Sequence, residues 1–121
     1  MMSDQQFDFE KLEVYQKSLN LIDHIFILYK KWSYDYKISI GSNLIRAAMS
    51  IANNLAEGNG KRSNKEKRRY FGIALDSARE CVSVFNILKR QQIINLDYYY
   101  KIRSETKEIT NMIWALINSL I

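Results

Sequence analysis

Six cations crowd into nine consecutive positions, Lys61, Arg62, Lys65, Lys67, Arg68 and Arg69, against one acid, Glu66. Ammonium and guanidinium groups at this density suit one kind of chemistry. They neutralise phosphates and release the counterions condensed on a nucleic acid, which gives affinity without base information. The net charge is +5, and these nine positions account for all of it, so the remaining surface is balanced. Such a segment points to a polyanionic partner, nucleic acid (RNA or DNA) first and an acidic protein second. A charged end that only aids solubility has the same composition. Lys65, Arg68 and Arg69 are three and four positions apart, on one face of the first turns of a helix, with Lys61 and Arg62 in the loop before it. Cations there oppose the helix macrodipole at a cost of about 0.3–1 kcal/mol, so helix stability does not explain them.

A second polar group is Arg46, Asn54, Glu57, Ser77 and Glu80, set among alanine-rich stretches. A buried charge must be paired, which predicts Arg46 against Glu80 or Glu57 in an internal, structural polar layer, with a direct ligand role as the alternative. Little supports catalysis. His24 is the single histidine, so a two-histidine ribonuclease arrangement is excluded, and no Glu-x-x-His motif of a di-iron bundle occurs. Cys81 falls on a core heptad and reads as packing rather than as a nucleophile paired with His24. Asp76 and Glu80 could approach a metal from one helix face, but two carboxylates without further ligands do not make a site. No catalytic residue, metal or cofactor is therefore expected. Tyr98, Tyr99 and Tyr100 could stack bases or close one end of the fold, and Tyr70 adjoins Arg69.

These groups need elements to position them. A chain of 121 residues, 47% hydrophobic, makes one domain with one core. It has no proline, so nothing forces a helix to stop. One cysteine cannot form an internal disulfide. The first residues lack the pattern of a signal peptide, and no run approaches a membrane span of roughly 18 apolar residues. A cytoplasmic protein with no membrane contact is the expectation.

Helix one is predicted over residues 9–32, capped by Asp8, with its seam at Leu12, Tyr15, Leu19, Ile22, Phe26 and Tyr29. A second apolar set, Leu21, Ile25, Leu28 and Trp32, widens that surface beyond what one neighbour covers, which suggests self-association. Residues 33–40 alternate apolar and polar and are read as an extended connection. Helix two, 39–57, presents Ile40, Leu44, Ala47, Ala48, Ile51 and Leu55, with small residues that admit a close neighbour, and Gly58 and Gly60 are expected to cap and reverse the chain. Ser63 and Glu66 form a capping box for helix three, 64–91, whose seam is Phe71, Ala74, Ala78, Cys81, Phe85 and Leu88. Asp97 is expected to cap helix four, 98–120, with Ile102, Thr106, Ile109, Ile113, Leu116 and Leu120 inside and an apolar end that adds to the self-association surface. Short connections make an all-α, antiparallel up-down-up-down four-helix bundle the simplest assembly.

FEKLEVYQKSLNLI, NLIRAAMSIANNLAEGNGKRSNKE and IALDSARE carry a further signal. Together they resemble the four-helix-bundle intervening-sequence protein family, whose members are encoded in insertions within bacterial large-subunit ribosomal RNA genes and elsewhere in bacterial genomes. The signature is matched by Arg46, Ala47, Ala48, Ser50, Ile51, Asn54, Ala56, Glu57 and Gly58. Ile45 stands where the family often has a second arginine, and the usual proline of the first connection is missing. The resemblance implies a four-helix bundle, frequently a ring-like homopentamer. Accessory proteins of diversity-generating retroelements, which bind nucleic acid and a reverse transcriptase, are similar to this family. The expected function is thus a non-enzymatic, RNA-associated accessory protein acting as a homo-oligomer through its basic segment. The alternative is an interaction module whose basic end docks an acidic protein.

Overall fold

Alternation of apolar and polar residues at three-four spacing produces four long helices among the described residues. The computed structural model describes residues 5–121, and the first residues of the amino-terminal stretch read above for targeting lie outside them. We label the helices α1 (Glu13–Lys31), α2 (Ser42–Asn59), α3 (Asn64–Arg90) and α4 (Leu96–Ser119). Each packs on its neighbours in the order α1, α2, α3, α4 and back to α1. Along every pair, contacts climb one helix as they descend the other: Arg46 and Ser50 of α2 meet Glu80 and Ser77 of α3, and His24 and Lys17 of α1 meet Glu105 and Glu108 of α4. The result is the expected antiparallel bundle. No helix is long and apolar enough to cross a membrane among the described residues.

The α3 seam lies inside as predicted, from Phe71 through Leu88. In α4, Ile102, Thr106, Ile109 and Ile113 are buried, while Leu116 and Leu120 are half-buried. Helix α1 turns a different face inward. Its core seam is Val14, Ser18, Leu21, Ile25 and Leu28, and the seam expected from Tyr15 to Tyr29 is only half-buried. Ser18 tolerates burial because its hydroxyl donates to the Val14 carbonyl one turn back, at 2.8 Å.

Several boundaries differ from expectation for local reasons. Asp8 does not cap α1. It begins a 3-10 turn, Asp8–Lys11, and the helix starts only after Leu12. Residues 33–40 are not extended: Tyr34–Tyr36 forms a helical turn and Lys37–Gly41 a π-helical turn that runs into α2. With no strand to pair with, the backbone satisfies its own groups, helped by the Ser39 hydroxyl, which donates to the Asp35 carbonyl at 2.7 Å. Ser63 accepts from the Glu66 amide at 3.1 Å, but the Glu66 carboxylate turns to Arg69, so only half of the capping box forms. Asn95, not Asp97, caps α4, accepting from the Tyr98 amide at 2.8 Å.

The glycines of the α2–α3 turn do not act through left-handed backbone. Helix α2 continues through Gly58 to Asn59, and Gly60 has φ −85°. Gly58 is required by proximity instead. A Cβ there would lie 2.9 Å from the Phe71 ring and from the Tyr70 Cβ. Phe71 is buried and cannot swing away. Gly72, in mid-α3, is the opposite case, since a Cβ would meet nothing within 4 Å. Urea melts should therefore separate the two. Gly58→Ala is expected to destabilise by about 1–2 kcal/mol through overpacking, and Gly72→Ala to stabilise by about 1 kcal/mol through helix propensity.

Candidate nucleic-acid interface

The close α2–α3 contact brings the six cations to one end of the bundle, where they divide by task. Lys67 Nζ donates to the carbonyl of Asn59, the last residue of α2, at 2.8 Å. Arg68 Nη1 donates to the Leu120 carbonyl at the end of α4, at 2.7 Å. Both are half-buried. In an antiparallel bundle the start of α3 sits beside the ends of α2 and α4, and those carbonyl ends carry the negative poles of two helices. The cations that oppose their own helix dipole are held by the dipoles of the neighbours.

Of the other four, Arg62, Lys65 and Arg69 are exposed and Lys61 is half-buried. Arg62 and Lys65 are exposed, with no hydrogen bond or ion pair among the described residues. Lys61 pairs with Glu57 at 3.3 Å, and its ammonium stands 4.9 Å from the centre of the Tyr70 ring. Arg69 pairs with Glu66 at 3.2 Å, with its guanidinium 4.5 Å from the same ring. The hydrogen-bonded Glu57 carboxylate raises the Lys61 pKa, and Glu66 does the same for Arg69, so both stay cationic through the neutral range. The face predicted to join Lys65, Arg68 and Arg69 is thus divided. Arg68 turns to α4, while Arg69 and Lys61 share Tyr70.

The polar layer forms at the edge of the core, with Ser77 buried and its charged pair at the surface. Arg46 Nη2 meets Glu80 Oε2 at 2.7 Å with the two side chains 62% and 43% exposed, so this is a surface ion pair and not a buried one. Beside it the Ser50 and Ser77 hydroxyls are 2.7 Å apart, and Asn54 Nδ2 donates to Ser50 Oγ at 3.0 Å. Glu57 belongs to Lys61 rather than to this chain of contacts. The small residues of α2 leave room for the helix, not for a charged interior.

The remaining candidates are occupied by packing. His24 Nδ1 lies 2.8 Å from Glu105 Oε1, which requires the proton on Nδ1 because the carboxylate accepts. Tyr98 donates to the His24 carbonyl at 2.8 Å, and Tyr99 is buried, donating to Asn86 at 2.6 Å. Burial pushes the Tyr98 phenol up, with Glu105 adding to the effect. Tyr100 is exposed. Asp76 and Glu80 gain no third ligand, and no three metal-ligating side chains converge among the described residues.

Sequence reasoning missed two grooves, because each is lined from two helices. Between α1 and α2, Tyr29, Ile45 and Met49 line an open groove, with Met49 45% exposed. By spacing, Ile22 and Phe26 continue the Tyr29 face, so the half-buried seam of α1 borders α2 rather than α4. Between α3 and α4 lies a groove of about 640 Å³, lined by Arg79 of α3 and by Arg103 and Lys107 of α4. The signal available in the sequence was the spacing of Arg103 and Lys107 by four residues, but which helix they face is a tertiary fact.

Two measurements follow from this geometry. Arg68→Ala and Lys67→Met should each lower stability by about 1 kcal/mol, through lost helix-end hydrogen bonds, while Arg62→Ala and Lys65→Ala leave it unchanged in the same denaturant titration. Cys81 is fully buried, and burial pushes its thiol up to about 12. Both the burial and the scarcity of thiolate protect it, so at pH 8 a thiol-reactive disulfide reagent should label it only after denaturation.

The comparisons agree with this fold. A crystal structure of a protein of unknown function from the S23 ribosomal protein family of Bacteroides thetaiotaomicron is similar, with a TM-score of 0.81 and 26% identity, over 87% of this chain and 95% of that one. No curated protein matches the chain. The family model described as 23S rRNA-intervening sequence protein matches residues 10–115. With nearly the whole bundle inside that match, the chain belongs to the 23S rRNA-intervening sequence protein family.

Proposed function

We propose that this protein is a non-enzymatic nucleic-acid-binding accessory protein, RNA being the favoured ligand, whose contact surface is the basic end of the bundle. The observation that carries this is the exposed pair Arg62 and Lys65 beside Lys61 and Arg69, which stand over the Tyr70 ring, at a start of α3 placed by the buried Gly58–Phe71 contact. Four cations gathered at one corner are suited to phosphates. The family's description associates its members with ribosomal RNA, which favours RNA among polyanions. The family resemblance also favours a homo-oligomer, with a pentamer as the expected number. The α1–α2 groove offers an apolar surface for it, and a ring would repeat the basic corner and gain avidity without new contacts. A reverse transcriptase is a second possible class of partner by the same resemblance, and the cytoplasm is the proposed location.

Lys67 and Arg68 are engaged with helix ends, so four cations of this corner remain for phosphates. Their contribution to the slope of log affinity against log salt should be about −3 for a single strand. Arg62→Glu with Lys65→Glu should abolish retention of RNA at moderate salt with the melting temperature unchanged. Retention that persists in this double variant would refute the assignment. Loss of binding to an acidic protein but not to RNA would favour the interaction-module alternative.

A further inference from the structure

The α3–α4 groove has the composition of a nucleic-acid track, and two of its three cations serve no contact among the described residues. Arg79, Arg103 and Lys107 line it, with no acid among its walls. Arg79 and Lys107 make no side-chain hydrogen bond or ion pair among the described residues. Arg103 is held in place, donating to Asn86 Oδ1 at 2.7 Å and to the Tyr99 hydroxyl at 2.8 Å, which leaves its remaining N–H groups set in a defined direction. Trp114 closes one end of the groove and is 51% exposed. Asp76, an exposed acid on α3, is not part of the lining.

Position along the helices joins this groove to the basic corner. Trp114 stands about 9 Å along α4 from Leu120, whose carbonyl holds Arg68. From Trp114 to Arg103 the groove runs about 16 Å. Gly72 lies on the outward side of α3 between Lys65 and Arg79, at helical spacing from both. A Cβ at Gly72 would meet nothing within 4 Å among the described residues.

We propose that the α3–α4 groove binds single-stranded RNA, with Trp114 stacking a base and Arg79, Lys107 and Arg103 taking successive phosphates of a strand that enters from the basic corner. Charge complementarity selects a polyanion, and the exposed indole selects unpaired bases over a duplex, whose bases are already stacked. This rests on the nucleic-acid function proposed above and adds strandedness and a second contact surface to it.

The test uses the full-length protein and two fluorescein-labelled probes, a 15-nucleotide single-stranded RNA of mixed sequence and the same strand in a duplex, read by anisotropy at several salt concentrations. Wild type should favour the single strand. Trp114→Ala should lower that affinity about tenfold, and Trp114→Phe, which keeps an aromatic face, should recover most of it. Arg79→Gln with Lys107→Gln should reduce the salt slope by about 1.4. These positions are at the surface and outside the core seam, and a melting curve for each variant confirms the fold. Wild-type affinity and slope in all groove variants, with binding lost in the Arg62→Glu, Lys65→Glu protein, would overturn the groove and leave the basic corner standing. No binding of either probe by wild type would overturn both. A change of oligomeric mass in Trp114→Ala without RNA would assign the groove to a subunit interface. Equal competition by polyglutamate would assign it to acidic proteins. Either result refutes the proposal.

Discussion

The bundle is organised around the approach of α2 to α3. Gly58 lies so close to Phe71 that a single methyl group would not fit, and Ala47, Ala48, Ala52, Ala74 and Ala78 line the buried faces of the same two helices. Small residues let helix axes approach, and close axes put many weak dispersion contacts within range at once. The short connection from Asn59 to Asn64 then has little freedom, so the start of α3 is placed by packing rather than by the loop itself.

Antiparallel packing also settles the electrostatics of that corner. Taken alone, a helix that begins with lysines and arginines is poorly designed, because its free amides already make that end positive. In the bundle the same end is flanked by the carbonyl ends of α2 and α4, and Lys67 and Arg68 bond directly to them. Part of the charge run therefore has a structural purpose. It ties three helix ends together and leaves Arg62 and Lys65 outermost, with Lys61 and Arg69 steadied by one carboxylate each and by Tyr70.

The two open grooves differ in what they could accept. The α1–α2 groove is edged by Tyr29, Ile45 and Met49, with the Arg46 charge already matched by Glu80. Such a surface suits another apolar surface. The α3–α4 groove is cationic, with two of its three charges unmatched within the described chain.

The sequence by itself determined the helices, their order and most of their inward faces, because helical periodicity and the lack of proline are local properties. The α3 seam and the burial of Cys81 were legible for that reason, and the family signature in α2 was legible as residue identity. The α1 face was not. Two apolar sets shared the same spacing, and a self-satisfied Ser18 took a core position that a hydroxyl would not suggest. Gly58 is not the left-handed cap its position suggests, and the close approach of Phe71 that requires it leaves no trace within the local sequence. The connection at 33–40 was misread because alternation without a partner strand is only a pattern. Above all, the division of the six cations between helix ends and solvent, and the gathering of Arg79, Arg103 and Lys107 into one groove, exist only once antiparallel helices lie side by side. Charge can be counted along a chain, but which dipole or which other charge it meets depends on through-space distance, and only the tertiary structure sets that.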